Sequence, residues 1–280
     1  MGVYFIGGSM RTGTNLLQRI LCGAPTAHER LEEAGFLTGM MENYVAQVGQ
    51  HPQRTLQYFE SMEAVHLFQR RQLLDFFSQV RRRHPEARDL ILKKPELTRT
   101  FPELAQLLPE ARFVVMIRDP RDTLASMISV GRKQAEAGKV SLLTRIGRDI
   151  PRLCAHFNSF YERLWPALTR PEIARRTFLM RYEDLVSEPA RAVGDLARFT
   201  GLALSPDALA DQGEKADTGP TPYRTELTGG EISAQRVARY KAELSREEQA
   251  QVTSALRELC VAFKYPLERG PEGADASLPA

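Results

Sequence analysis

The sequence predicts an α/β fold with a central parallel sheet flanked by helices. Four short runs carry the first half of this expectation: Val3–Gly7, Leu90–Lys93, 113–117 and 177–180. Each is mostly apolar and lacks period-two alternation, which is how strands buried on both faces of a parallel sheet read. Helical patterns over residues 15–21, 56–80, 100–108 and 121–130 lie between them. Strands alternating with helices imply a parallel sheet. The link from the first strand to the first helix adds a further observation. Gly8 and Gly13 have the GxxxxG spacing of a phosphate-binding loop, Arg11 sits inside it, and Thr14 and Asn15 stand where a lysine and a hydroxyl residue usually follow. Such a loop suits a phosphate group but not the usual Mg-nucleotide chemistry.

Later elements have local signals. Ser187 reads as an N-cap with Pro189 in the first turn, and Gly201 ends that helix. Ser245 and Glu248 form a capping box before a helix carrying Val252, Leu256, Leu259 and Phe263, closed by Pro266. Residues 213–230 are rich in Gly, Pro, Thr and charge and read as a long loop. One domain is expected over residues 1–268, followed by a frayed tail over 269–280.

Composition narrows the function classes. The chain of 280 residues is 42% hydrophobic and 26% charged, ordinary for a globular protein. A net charge of +3 gives no general case for nucleic acid, though a local anion pocket is compatible with it. Cys22, Cys154 and Cys260 are too scattered for a disulfide framework or a zinc site. No run approaches a membrane span, and the opening strand does not read as a signal peptide, so a cytoplasmic setting is expected.

Two motifs carry chemistry. In the first, the backbone N–H groups of residues 12–15, the Thr12 and Thr14 hydroxyls and Arg11 can together hold a phosphate at a helix N-terminus. A plain strand-to-helix turn is the competing reading, and the Arg-Thr-Gly-Thr run weighs against it. In the second, FVVMIRDPRDTLAS, a buried strand delivers Arg118 at its carboxyl end, where α/β sheets place ligands. Asp119 and Pro120 turn into a helix that carries Ser126, eight residues beyond Arg118. Arginine there can bind a second phosphate through two N–H donors, with a hydroxyl from Ser126.

Together these motifs resemble the sulfotransferases that use 3′-phosphoadenosine 5′-phosphosulfate. Met10-Arg11-Thr12-Gly13-Thr14-Asn15-Leu16-Leu17 is similar to the family's 5′-phosphosulfate loop, P-[KR]-S-G-T-[TN]-[WL]-L, with Met for Pro and Thr for Ser. Arg118 through Ser126 is similar to the 3′-phosphate segment, R-[DN]-P-x-[DE]-x-x-x-S. Tyr182-Glu183-Asp184-Leu185 resembles a further family segment, Y-E-D-L. LILKKPEL resembles the K-x-P segment, with Lys93 or Lys94 reaching the sulfonyl oxygens, and Arg236 with Arg239-Tyr240-Lys241 resembles the R-W-K element that closes over the nucleotide.

The resemblance implies a fold like the P-loop-containing nucleoside triphosphate hydrolases. It also implies that Arg11, Thr12, Gly13, Thr14, Asn15, Arg118, Ser126, Tyr182, Arg236 and Arg239 bind the nucleotide. The implied reaction is in-line sulfonyl transfer to a hydroxyl or amine without a metal, with Arg11 and Lys93 countering charge on the bridging oxygen. The acceptor's base is a glutamate about twenty residues past the loop. Tyrosylprotein-type spacing points to Glu32 and heparan-type spacing to Glu33. His28 is a further candidate, while His51, His66, His84 and His156 read as surface or packing residues. A small-molecule kinase and a catalytically inactive nucleotide-binding protein are the alternatives. The acceptor, whether carbohydrate, lipid, small molecule or peptide, is expected to meet residues 36–60, 131–150 and 213–232. The apolar residues between Leu56 and Val80 read either as its lining or as core.

Overall fold

The computed structural model describes residues 2–209 and 237–267. The expected loop at 213–230, Arg236 and the expected tail lie outside the described residues. Contacts divide the chain into two compact units: the described residues of Met1–Ile117 and Ser159–Asp211, and those of Arg118–Asn158 and Gln212–Ala280.

The first unit holds the sheet. Its strands are β1 (Val3–Gly7), β2 (Leu90–Lys93), β3 (Arg112–Ile117) and β4 (Thr177–Arg181), all parallel, in the order β2-β1-β3-β4. All four expected strands are present, within a residue or so of their expected ends. Alternate residues of each strand point to opposite layers. On one face Phe5 and Phe113 stack at 5.5 Å, and Phe101 and Phe77 complete an aromatic cluster. Phe77 comes from the helix Met62–Arg83 and Phe101 from the helix Phe101–Leu107. The other face carries Tyr4, Ile6, Val114 and Met116. They pack on Leu17, Ile20 and Leu21 of α1 (Thr14–Cys22) and on Val193 and Leu196 of the helix Pro189–Thr200. Both faces are covered, which is why the strands show no alternation of apolar and polar residues.

The second unit is helical among its described residues. The helix Pro120–Glu136 packs against Ile150–Asn158 and Arg246–Ala255. The expected capping box is there: Ser245 Oγ accepts from the Glu248 N–H, and the Glu248 carboxylate accepts from the Ser245 N–H.

Several helix boundaries differ from expectation, and the pattern over 121–130 continues as a helix to Glu136. The pattern over 56–80 starts as a helix only at Met62, because Ser61 Oγ caps it by accepting from the Ala64 N–H at 3.1 Å. Ser187 closes the helix Tyr182–Ser187, its hydroxyl donating to the Glu183 carbonyl, and Glu188 takes the N-cap position of the next helix. The helix after Ser245 breaks at Leu256 and resumes as Arg257–Ala262.

His28 is a structural residue rather than a base. It is 3% exposed, Nδ1 donates to the Glu29 carbonyl at 2.6 Å and Nε2 accepts from the Ile91 N–H of β2 at 2.9 Å. These bonds require the neutral ring, since a protonated Nε2 cannot accept. Burial first, and the neighbouring His84, push the His28 pKa below its ordinary 6.5. The unfolded chain therefore takes up this proton at a higher pH than the folded chain. Stability is expected to fall as pH drops below 6.5, with a slope of up to about 1.4 kcal/mol per pH unit from this group. Urea melts of the wild type and His28→Asn between pH 7 and pH 5 check this: the variant loses that part of the slope.

Candidate functional site

In the first unit β1 runs into the glycine loop and the loop into α1. The chain enters the left-handed region at Gly8 (φ 121°), Arg11 (φ 69°) and Gly13 (φ 107°). Arg11 pays a steric cost there that a glycine escapes, and such outliers concentrate at functional sites. The loop closes on itself through Thr12, whose hydroxyl and N–H both donate to the Ser9 carbonyl, at 2.7 and 3.3 Å. Thr12 is fully buried, so its hydroxyl hydrogen is spent on shaping the loop. The Gly8 N–H donates to Thr98 Oγ1 at 2.7 Å and the Ser9 N–H to the Tyr161 hydroxyl at 2.9 Å.

Gly13 is the N-cap of α1, and the first bonds inside the helix run from Leu16 and Leu17 back to its carbonyl. The amides of Thr14 and Asn15 thus lie in the first turn, where a helix provides no backbone acceptor and presents its positive pole. A side chain at position 13 is excluded: its Cβ would lie 2.8 Å from Cδ2 of Tyr182, a buried ring packed against the loop.

The strand order positions a second group. In the order β2-β1-β3-β4 the chain leaves β1 toward one edge of the sheet and leaves β3 toward the other. The carboxyl ends of strands at such a switch point form the usual ligand crevice of an open α/β sheet. In the β1–β2 register Lys93 is the partner of Ile6, one residue before the end of β1. Lys93 Nζ bonds Glu33 Oε1 at 2.7 Å, and Lys94 Nζ lies 3.4 Å from Glu33 Oε2 and 3.6 Å from Glu96. The Lys93 side chain is 5% exposed and that of Glu33 44%. Burial pushes the Glu33 carboxyl up, but Lys93 and then Lys94 outweigh it and hold the pKa below its ordinary 4.5. Both candidate glutamates are exposed, and Glu33 is the one joined to Lys93. The Ala34 N–H donates to the Lys93 carbonyl at 3.0 Å, which fixes this corner at the start of α2 (Gly35–Gly49).

The second unit begins with Arg118, the residue that follows β3 in the chain. Arg118 is buried and lies 3.9 Å from Asp122. Asp119 caps the helix Pro120–Glu136 by accepting from the Arg121 N–H at 2.9 Å, and it grips the Arg121 guanidinium at 3.0 and 2.6 Å. Arg121 is fully buried beneath the Tyr240 ring, 4.3 Å from its centroid. Asp122 accepts from the Ala238 N–H at 2.8 Å and the Tyr240 N–H at 2.9 Å, holding the C-terminal segment. Ser126 is half-buried on the same helix, and Arg239 pairs with Glu243 at 2.7 Å.

Thr98, Tyr161 and the grip of Asp122 were not legible as site features. Thr98 lies in a 3₁₀ turn (Pro95–Thr100) with no motif of its own, and Tyr161 is 152 residues from the amide it meets. Asp122 falls inside the strand-turn-helix motif, but its partners at 238 and 240 are far along the chain.

Residues 4–206 match the sulfotransferase family. No curated protein matches the chain. Among solved structures it is similar to the sulfotransferase domain of the olefin synthase of Synechococcus PCC 7002, at 20% identity and a TM-score of 0.64, covering 96% of both chains. The sulfotransferase domain from the curacin biosynthetic pathway is similar at 15% identity and 0.60, covering 95% of this chain and 99% of that one. For the sulfotransferase STF9 of Mycobacterium avium the values are 14% and 0.53, with 95% and 78% covered. These likenesses establish the fold, that of the P-loop nucleoside triphosphate hydrolases. Because the family match runs from the second residue of β1 past β4, through the glycine loop and the turn after β3, the chain belongs to the sulfotransferase family.

Proposed function

We infer that the protein transfers a sulfonyl group from 3′-phosphoadenosine 5′-phosphosulfate to a hydroxyl or amine, with Glu33 as general base. The observation that carries this reading is the Lys93–Glu33 pair, set by strand register next to the strand that feeds the loop. The donor supplies a sulfate activated by its bond to a phosphate. The residues present fit such a group: a left-handed loop with an arginine in it and the first-turn amides of a helix both suit an anion.

Arg11, Gly13, Thr14 and Asn15 are assigned to the 5′-phosphosulfate, with Thr12 shaping the loop. Arg118 and Ser126 are assigned to the 3′-phosphate, following the motif they match, and Tyr182, Arg236 and Arg239 to the remainder of the nucleotide. Arg11 and Lys93 provide positive charge for the bridging oxygen, already oriented before reaction. No metal is assigned, because one sulfonyl group moves and these two cations answer its charge. With its pKa held below 4.5, Glu33 is ionised at neutral pH and can accept a proton, though its lysines make it a weak base. Drawing Lys93 toward the sulfonyl oxygens removes its shortest ionic contact and raises its proton affinity.

The acceptor is read as partly apolar. All the exposed large hydrophobics described in the first unit lie between Phe36 and Leu74, beginning three residues past Glu33. Phe36 is 74% exposed and stacks on Phe76 at 5.9 Å. A reducing, cytoplasmic setting is proposed on the free thiols Cys22, Cys154 and Cys260. No described helix is long and apolar enough to cross a membrane.

Glu33→Gln is expected to lower turnover by about 10²–10⁴-fold while sparing affinity for adenosine 3′,5′-bisphosphate, and Glu32→Gln to leave turnover near wild type. Steady-state assays with labelled donor, paired with calorimetry, check both. By calorimetry the wild type should bind adenosine 3′,5′-bisphosphate in preference to Mg-ATP, and Arg118→Ala should lose roughly tenfold or more of that affinity. Selective binding of Mg-ATP would favour the kinase reading. Phe36→Ala should raise KM for 4-nitrophenol or a long-chain alcohol more than for a monosaccharide; equal effects would count against an apolar acceptor.

A further inference from the structure

We propose that Thr98 and Tyr161 are positioning residues for the transfer reaction, holding the phosphate loop in its binding shape and Thr98 tying it to the Lys93 segment. The proposal rests on the reading that the loop binds the donor. Neither side chain belongs to the motifs that identify the loop, and both act on its backbone.

Thr98 Oγ1 accepts from the Gly8 N–H at 2.7 Å and donates to the Pro95 carbonyl at 2.7 Å. One hydroxyl therefore links the first loop residue to the turn that begins two residues past Lys93. Thr98 is fully buried. Its approach depends on glycine at position 7, where a Cβ would stand 2.5 Å from Thr98 Oγ1. The Tyr161 hydroxyl accepts from the Ser9 N–H at 2.9 Å and donates to the Met116 carbonyl at 3.3 Å, near the end of β3. Tyr161 is 1% exposed, and burial keeps its phenol protonated well above ordinary tyrosine values.

The first two amides of the loop are thus taken by buried hydroxyls from outside it, each hydroxyl anchored in turn to a carbonyl near a strand end. A loop with left-handed residues at 8, 11 and 13 has no repeating hydrogen bonds to hold that shape. With Gly8 and Ser9 clamped and Thr12 closed on Ser9, the path to Arg11 and to the first turn of α1 is set before an anion arrives. Binding then does not have to order the loop, which is the general benefit of preorganisation. Thr98 adds a second effect, because a shift of its turn moves the segment that follows Lys93.

The test measures adenosine 3′,5′-bisphosphate affinity by calorimetry, and kcat and KM for donor hydrolysis to that nucleotide, in Thr98→Val, Thr98→Ser and Tyr161→Phe, all well below their melting temperatures. Both hydroxyl deletions should weaken nucleotide binding on the order of tenfold, the scale of one buried hydrogen bond. Thr98→Ser should restore it. Thr98→Val should also lower kcat, whereas Tyr161→Phe should act mainly on KM. Folded variants with wild-type affinity and kinetics would overturn the proposal, as would Thr98→Ser failing to rescue binding. If Thr98→Val does not fold, Tyr161→Phe decides by the same affinity measurement. A wild type that binds Mg-ATP and no adenosine 3′,5′-bisphosphate would overturn the underlying sulfotransfer reading, an outcome visible before any variant is made.

Discussion

Parallel pairing of β1 with β2, in the register that sets Lys93 against Ile6, is the constraint on which the first unit's candidate site depends. A slip of one residue would turn every side chain of β2 to the opposite face, carrying Lys93 away and exposing Ile91 or Leu92 to the wrong layer. A buried Lys93 turned away from Glu33 would be an unpaired charge, and that cost opposes the slip. The same register leaves an ammonium almost without solvent, which is costly unless the charge is paired. Glu33 supplies that pairing, so the base candidate is held by the electrostatic demand of a lysine that the sheet places.

Around this pair the functional backbone is held by side chains more than by regular structure. Thr98, Tyr161 and Thr12 bond the glycine loop. In the second unit Asp119 and Asp122 do comparable work, one gripping Arg121 and the other collecting two amides near Tyr240. A stretch of chain without helix or strand pairing must satisfy its amides elsewhere, and buried hydroxyls and carboxylates do so in a single geometry. His28 is a further instance, its ring bonded to the β2 backbone instead of being free for proton transfer.

Much of the fold was legible because its signals are local. Apolar runs marked all four strands, the glycine spacing marked the loop, and Ser245 with Glu248 marked a helix start. The misjudged boundaries also have local causes that periodicity does not weigh. An apolar repeat continued through 56–61 although the Ser61 hydroxyl was better placed to start the helix at 62. At Ser187 a hydroxyl that suits an N-cap bonded backward to Glu183 and finished the preceding helix instead.

The sequence by itself determined the class of chemistry through a glycine loop with phosphate-loop spacing, an arginine turn after a buried strand, and the motif pattern of the sulfotransferase family. Only the tertiary structure decided which neighbouring glutamate meets Lys93, that His28 spends both nitrogens on backbone, and that Thr98 and Tyr161 clamp the loop. Those outcomes join residues 60, 63, 90 and 152 positions apart. Spacing along a chain specifies what is repeated within a turn or a strand. Which distant donor meets which acceptor depends on strand order, register and burial, and these exist only once the sheet has formed.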